Sequence, residues 1–179
     1  DLENFDVQEI ADKIQDKYEA NKNYIFIAVA VIAVLVAAFW WYNNNKANKS
    51  LEASSLIWSQ ENNFAADRFQ EAIDGDANNE GYAMISQEYS GTPAGEIAAY
   101  NAGVGFLNMG KYNEAVNALQ GVDFSDIIIG AVAKGALGDA YFELQEVDNA
   151  ISSYKAAINH SDNEFTVPVY LKKLAILSN

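Results

Sequence analysis

The side chains best able to do chemistry in this chain are few and scattered. Asp74, Asp76, Asn78 and Glu80 alternate as the opening ligands of a calcium loop would, because a hard cation needs oxygen ligands at regular short intervals. The pattern then breaks. Asn79 holds the place where such a loop turns on glycine, and Ile85 the place of the closing bidentate Glu, so the run is read as a solvated acidic turn and no metal is assigned. His160 is the single histidine and stands at a helix end beside Ser161 and Asp162, where an imidazole interacts well with terminal carbonyls. No nucleophile motif accompanies it, so no triad can be drawn, and neither a catalytic residue nor a cofactor site is expected. Cysteine is absent, which removes thiol nucleophiles, thiolate metal sites and disulfides together. Asn48-Lys49-Ser50 and Asn159-His160-Ser161 match glycosylation acceptors, which matter only in a eukaryotic secretory setting. The expectation is a protein that is not an enzyme.

Charge narrows the remaining classes. The 179 residues carry 25 acids against 11 Lys and Arg, a net −14. The acidic excess lies both before residue 24 and after residue 42, so phosphate backbones and anionic lipid headgroups repel both parts. Nucleic acid is not an expected partner. Between them, Tyr24 to Tyr42 hold no charge at all. Nineteen helical residues span about 28 Å, the thickness of a bilayer's hydrocarbon core. Tyr24 and Phe26 at one end and Trp40, Trp41 and Tyr42 at the other suit the headgroup level, where amphipathic rings settle. The run is longer than a signal-peptide core, ends in bulky aromatics and follows an acidic leader, so it is read as an uncleaved anchor in contact with lipid. Three lysines precede it (Lys13, Lys17, Lys22) and two follow (Lys46, Lys49), which votes for a cytoplasmic N-terminus.

The elements around the anchor follow from periodicity. Residues 1–23 read as a cytoplasmic amphipathic tail, capped by Asp6, with Val7, Ile10, Ala11, Ile14 and Tyr18 on one face that could dock on a partner. Past residue 42 the polar run Asn43-Asn44-Asn45-Lys46 contains no Gly or Pro, so the membrane helix is expected to continue through Ser50 to Gln60, with Leu51, Ser55, Ile57 and Trp58 giving it apolar surface. Further helices are expected over Phe64 to Ile73 and Tyr82 to Tyr89. Breaks are expected at Asp74 to Gly81 and at Ser90 to Pro93, where Thr92 and Pro93 form a start signal.

The remainder repeats. Gly103 and Gly138, and separately Ala115 and Ala150, are offset by 35 residues. Small residues let two helices approach, and Phe106 and Tyr141 fill the space one turn on. The pattern resembles the tetratricopeptide repeat, a helix-turn-helix unit of 34 residues, with the clearest copies at about 96–129 and 131–164. Departures exist: Ala99 and Lys134 replace the usual Trp, and Gln145 replaces the inter-helix Gly. Phe64 to Ile73 resembles the second helix of an earlier unit, with Ala65, Phe69 and Ala72 on the motif at an offset of 50 from Ala115. Pro168 to Ser178 resembles the first helix of a later one, packing through Leu171, Leu174 and Ala175. Its second helix is missing, so both chain ends are expected to be trimmed or disordered. The fold class expected is all-α, a single N-terminal transmembrane helix (24–42) followed by a tetratricopeptide-repeat array over 43–179. The resemblance implies a concave groove lined by Tyr100, Val104, Leu107, Asp139, Phe142 and Glu143. The Lys and Asn of carboxylate-clamp members are replaced by Tyr100, Val104, Gly135 and Asp139, so a chaperone-tail clamp is not expected.

Tail, anchor and acidic repeats, with Glu88-Tyr89-Ser90-Gly91-Thr92 before Ala94-Gly95, together resemble the YfgM-like family of ancillary Sec translocon subunits, in the form met in Bacteroidota-type bacteria. The resemblance implies a single-pass inner-membrane protein with periplasmic repeats, whose partners are the SecYEG translocon and a membrane-anchored chaperone of the PpiD type. A structural subunit of another envelope complex, for secretion or motility, is the alternative.

Overall fold

The structure, a computed structural model, describes residues 7–160 and 163–177, and these form eight helices and no strand. The only sheet-like pairing among them is an isolated antiparallel bridge between Gly75 and Glu80. The chain divides into two units, Asp1–Asn45 and Lys46–Asn179.

The first unit is helix throughout its described length. Helix α1 runs from Val7 to Ala65, and no Gly or Pro interrupts it. Its apolar window has a mean hydropathy of 2.5 and none of it is covered by protein. Tyr24, Phe26, Trp40, Trp41 and Tyr42 are all more than 60% exposed, on a helix long and apolar enough to cross a membrane. The tail residues Ile10, Ile14 and Tyr18 are exposed as well. Asp6 and the side chains of Val7 and Ala11 lie outside the described residues.

The second unit begins with the rest of α1. Ala53, Ile57 and Gln60 are buried on one face, whereas Leu51 and Trp58 on the other are more than 70% exposed. The short helices α2 (Phe69–Asp74) and α3 (Tyr82–Glu88) follow, then α4 (Pro93–Asn108), α5 (Tyr112–Leu119), α6 (Ile129–Glu143), α7 (Val147–His160) and α8 (Val167–Leu177). Helix α4 starts where its sequence says it should: Thr92 Oγ1 accepts the Gly95 N–H at 3.0 Å and Pro93 opens the first turn. Neighbours in sequence pack together, α4 with α5, α5 with α6, α6 with α7 and α7 with α8.

One turn recurs three times. After α4 the amides of Met109, Gly110 and Lys111 donate to the carbonyls of Gly105, Leu107 and Phe106; after α6 those of Leu144, Gln145 and Glu146 donate to Ala140, Phe142 and Tyr141, the same bonds 35 residues on. After α1 the amides of Ala66, Asp67 and Arg68 repeat them with Asn62, Phe64 and Asn63. The middle residue has positive φ each time, 57° at Asp67, 71° at Gly110 and 60° at Gln145. This is the left-handed helix terminus that captures the last carbonyls.

Two sequence expectations need correcting. Phe64 to Ile73 is not one helix, because this turn falls inside it: Phe64 and Ala65 are the last residues of α1, and only Phe69–Asp74 forms α2. The counterpart of Ala115 is therefore Ala72, offset by 43, and the first helix of that hairpin is the end of α1. The sequence concealed this because no glycine marks the turn. On α8 the packing face is Tyr170, Leu174 and Leu177, while Leu171 and Ala175 are exposed. Tyr170 is drawn inward because Gly135 leaves room for its ring; a Cβ there would lie 2.2 Å from it.

The glycines act through the helix that returns. A Cβ on Gly103 would stand 2.4 Å from Leu119 Cγ, and one on Gly138 2.5 Å from Tyr154 Cε1. Leu119 and Tyr154 are themselves 35 apart. Gln60 occupies the corresponding place in the first hairpin, fully buried, with its amide donating to the Glu80 carbonyl and accepting from Asn63 Nδ2.

Candidate functional site

Helices α4, α6 and α8 present one face each to a groove of about 640 Å³. Tyr100, Val104 and Leu107 line it from α4, and Asp139, Phe142 and Glu143 from α6, so the six residues expected to share a groove do line one cavity. They meet because both helices carry them at spacings of three and four, which put side chains on one stripe.

The groove also holds residues that the sequence reading missed. Tyr112 and Tyr154 enter from the returning helices, and α8 closes one side with Lys173, Ile176 and Leu177. The repeat itself offered a signal, since Leu177 stands 35 residues after Phe142 and 70 after Leu107. Lys173 falls in the register of Gly103 and Gly138. No returning helix packs over it among the described residues, and a long side chain fits where the earlier units need glycine.

Lys173 changes what Asp139 can do. Tyr154 Oη donates to Asp139 Oδ1 at 2.7 Å, and the Lys173 ammonium contacts the same oxygen. That ammonium lies 5.5 Å from the Tyr154 ring centre and 5.8 Å from that of Tyr170, and the two rings stack at 6.0 Å. Asp139 is thus committed within the fold, with its charge answered, and joins α6, α7 and α8. Burial pushes the Tyr154 phenol well up, assisted by its bond to Asp139; burial and then Asp139 raise Tyr170 to about 12; burial raises Tyr100. All three phenols are neutral donors at ordinary pH. Glu143 and Phe142 are exposed at the rim, and Glu143 has no ion-pair partner among the described residues.

Elsewhere, the calcium-like turn is occupied by its own backbone: Asp76 Oδ1 accepts the amides of Asn78 and Asn79 at 2.7 and 2.9 Å, which holds its carboxyl below the usual range. No cluster of metal-ligating side chains occurs among the described residues. His160 Nε2 lies 3.0 Å from the Asp126 carbonyl, and Gly130 clears the space beside it. His160 therefore ties the end of α7 to the loop before α6, and its neighbours Ser161 and Asp162 lie outside the described residues.

Comparison of the chain with protein-family models, with curated proteins and with solved structures finds no match. The candidate site therefore rests on geometry.

Proposed function

We propose that this chain is a single-pass membrane protein whose second unit is a tetratricopeptide-type scaffold that works by contact. The observation that carries this reading is the groove: aromatic and apolar side chains from the alternate helices α4, α6 and α8, rimmed by acids, with no segment of the described residues filling it. An exposed apolar surface of this kind marks a binding site in a soluble domain. The recurrence of one turn and one glycine-to-helix contact at 35 residues supports the repeat assignment. The uncovered apolar helix supports the anchor, and the lysine asymmetry supports a cytoplasmic tail with the groove in the periplasm.

The family resemblance then supplies the setting. Under this reading the protein is an ancillary subunit of the Sec translocon in the bacterial inner membrane, holding a membrane-anchored, PpiD-like chaperone near emerging polypeptide. Affinity purification of the full chain from native membranes in mild detergent should recover SecYEG and such a chaperone in preference to other envelope proteins. Recovery of secretion or motility components, without the translocon, would replace this setting with the structural-subunit alternative.

A further inference from the structure

A second compartment of about 460 Å³ opens beyond Tyr100, between Ile97 on α4, Phe124 in the loop after α5 and Ile129 at the start of α6. Tyr100 lines both compartments and meets Phe124 edge to face, with ring centres 5.7 Å apart. Ile97 and Ile129 are 42% and 50% exposed, and the adjacent Ile127 and Ile128 are exposed too. A run of three isoleucines open to water is costly to keep without a partner.

The rim charges are one-sided. Asp123 is answered by Lys134 at 2.7 Å, and Asp126 spends one oxygen on the amides of Ile128 and Ile129. Glu96 beside Ile97 and Glu143 at the far end have no cation opposite them among the described residues, and the groove's lysine, Lys173, is held by Asp139. A second copy of this chain, itself at −14, does not complement such a surface. Ile97 and Leu107 mark the two compartments, ten residues apart on α4. That is about 15 Å along a helix, a span that an extended chain covers in about five residues.

We infer that the two compartments form one track for one ligand: an extended polypeptide segment with two large apolar side chains about five residues apart and Lys or Arg beside them. The inference rests on the reading of the groove as a binding surface and adds the chemistry of its occupant.

The test uses the full chain in phosphatidylcholine nanodiscs and three fluorescent Gly/Ser peptides, read by anisotropy. One carries two Leu at that spacing with flanking Lys, one a single Leu with Lys, and one two Leu with Glu in place of Lys. The two-Leu Lys peptide should bind about tenfold tighter than the single-Leu peptide, and the Glu peptide more weakly than either. Ile97→Ser and Ile129→Ser, both at exposed positions, should erase that tenfold advantage and leave single-Leu binding within about twofold. Phe142→Ser should weaken both Lys peptides. If the two isoleucine variants keep the full advantage while Phe142→Ser abolishes it, the groove binds but the second compartment is no part of the track, and this inference fails alone. Equal binding of the Lys and Glu peptides, or of one and two Leu, overturns it as well. Binding of no peptide at all overturns both the inference and the groove reading.

Discussion

Gln145 holds a backbone conformation that suits glycine. Its φ of 60° matches the 71° of Gly110 one unit earlier, and both sit in the same hydrogen-bonded turn. A side chain in that region costs about 1 kcal/mol, partly offset because glycine loses more chain entropy on folding. Gln145→Gly should therefore raise stability by up to about 1 kcal/mol, and Gly110→Gln should lower it by a similar amount. The thermal midpoint of the full chain in detergent micelles reads both; a lower midpoint for Gln145→Gly would mean that the turn is wrongly described. The phenols act in the alkaline range. Tyr82 and Tyr170 are raised from 10.0 to about 12, chiefly by burial, and Tyr154 is raised further. A raised folded value means that the unfolded chain gives up its proton first. Stability is thus complete below pH 10 and falls as pH climbs through the folded values, by up to about 1.4 kcal/mol per pH unit for each phenol. Tyr170→Phe should make that fall shallower in denaturant titrations above pH 10, and an unchanged slope would contradict the assigned burial. At this scale the sequence disclosed the groove's members but not their commitments. Asp139 is engaged by Tyr154 and Lys173, and contacts made across helices leave no local trace.

The hairpin is the unit that the sequence displayed most clearly, because a glycine and the side chain it admits recur together. Gly138→Leu would drive branched carbons into the Tyr154 ring, and Gly103→Leu into Leu119. Each should cost about 1 to 3 kcal/mol, as overpacking does. Gly121→Ala, with nothing within 4 Å of its new Cβ, should cost under about 0.5 kcal/mol. Equal midpoints for the three would show that the helices do not cross at these glycines. The first hairpin was less legible for a stated reason. Its turn is formed by Asp67 and not glycine, its glycine position is filled by the buried, doubly bonded Gln60, and its second helix shrinks to Phe69–Asp74 before the Gly75–Glu80 bridge. Helix α8 was legible as a helix but rotated, since Tyr170 is polar at one end and reads as a surface residue until Gly135 is seen opposite it.

For the whole molecule, the uncharged run from Tyr24 to Tyr42 announced a helix long and apolar enough to cross a membrane, and the composition announced an acidic chain. What neither showed is how much apolar surface remains open in the second unit, from Ile97 and Ile127–Ile129 to Phe142 and Ile176. In the function proposed above, this open surface is where the chain, at net −14, holds another polypeptide. Site-specific photocrosslinking in intact cells tests this most directly, with a crosslinker at Phe142 on the groove's rim and another at Lys155 on the exposed side of α7. The account predicts that Phe142 captures a translocon subunit or its chaperone and that Lys155 captures little; equal capture at both positions, or none at Phe142 while the tail residues Ile10 and Ile14 capture partners, would contradict it.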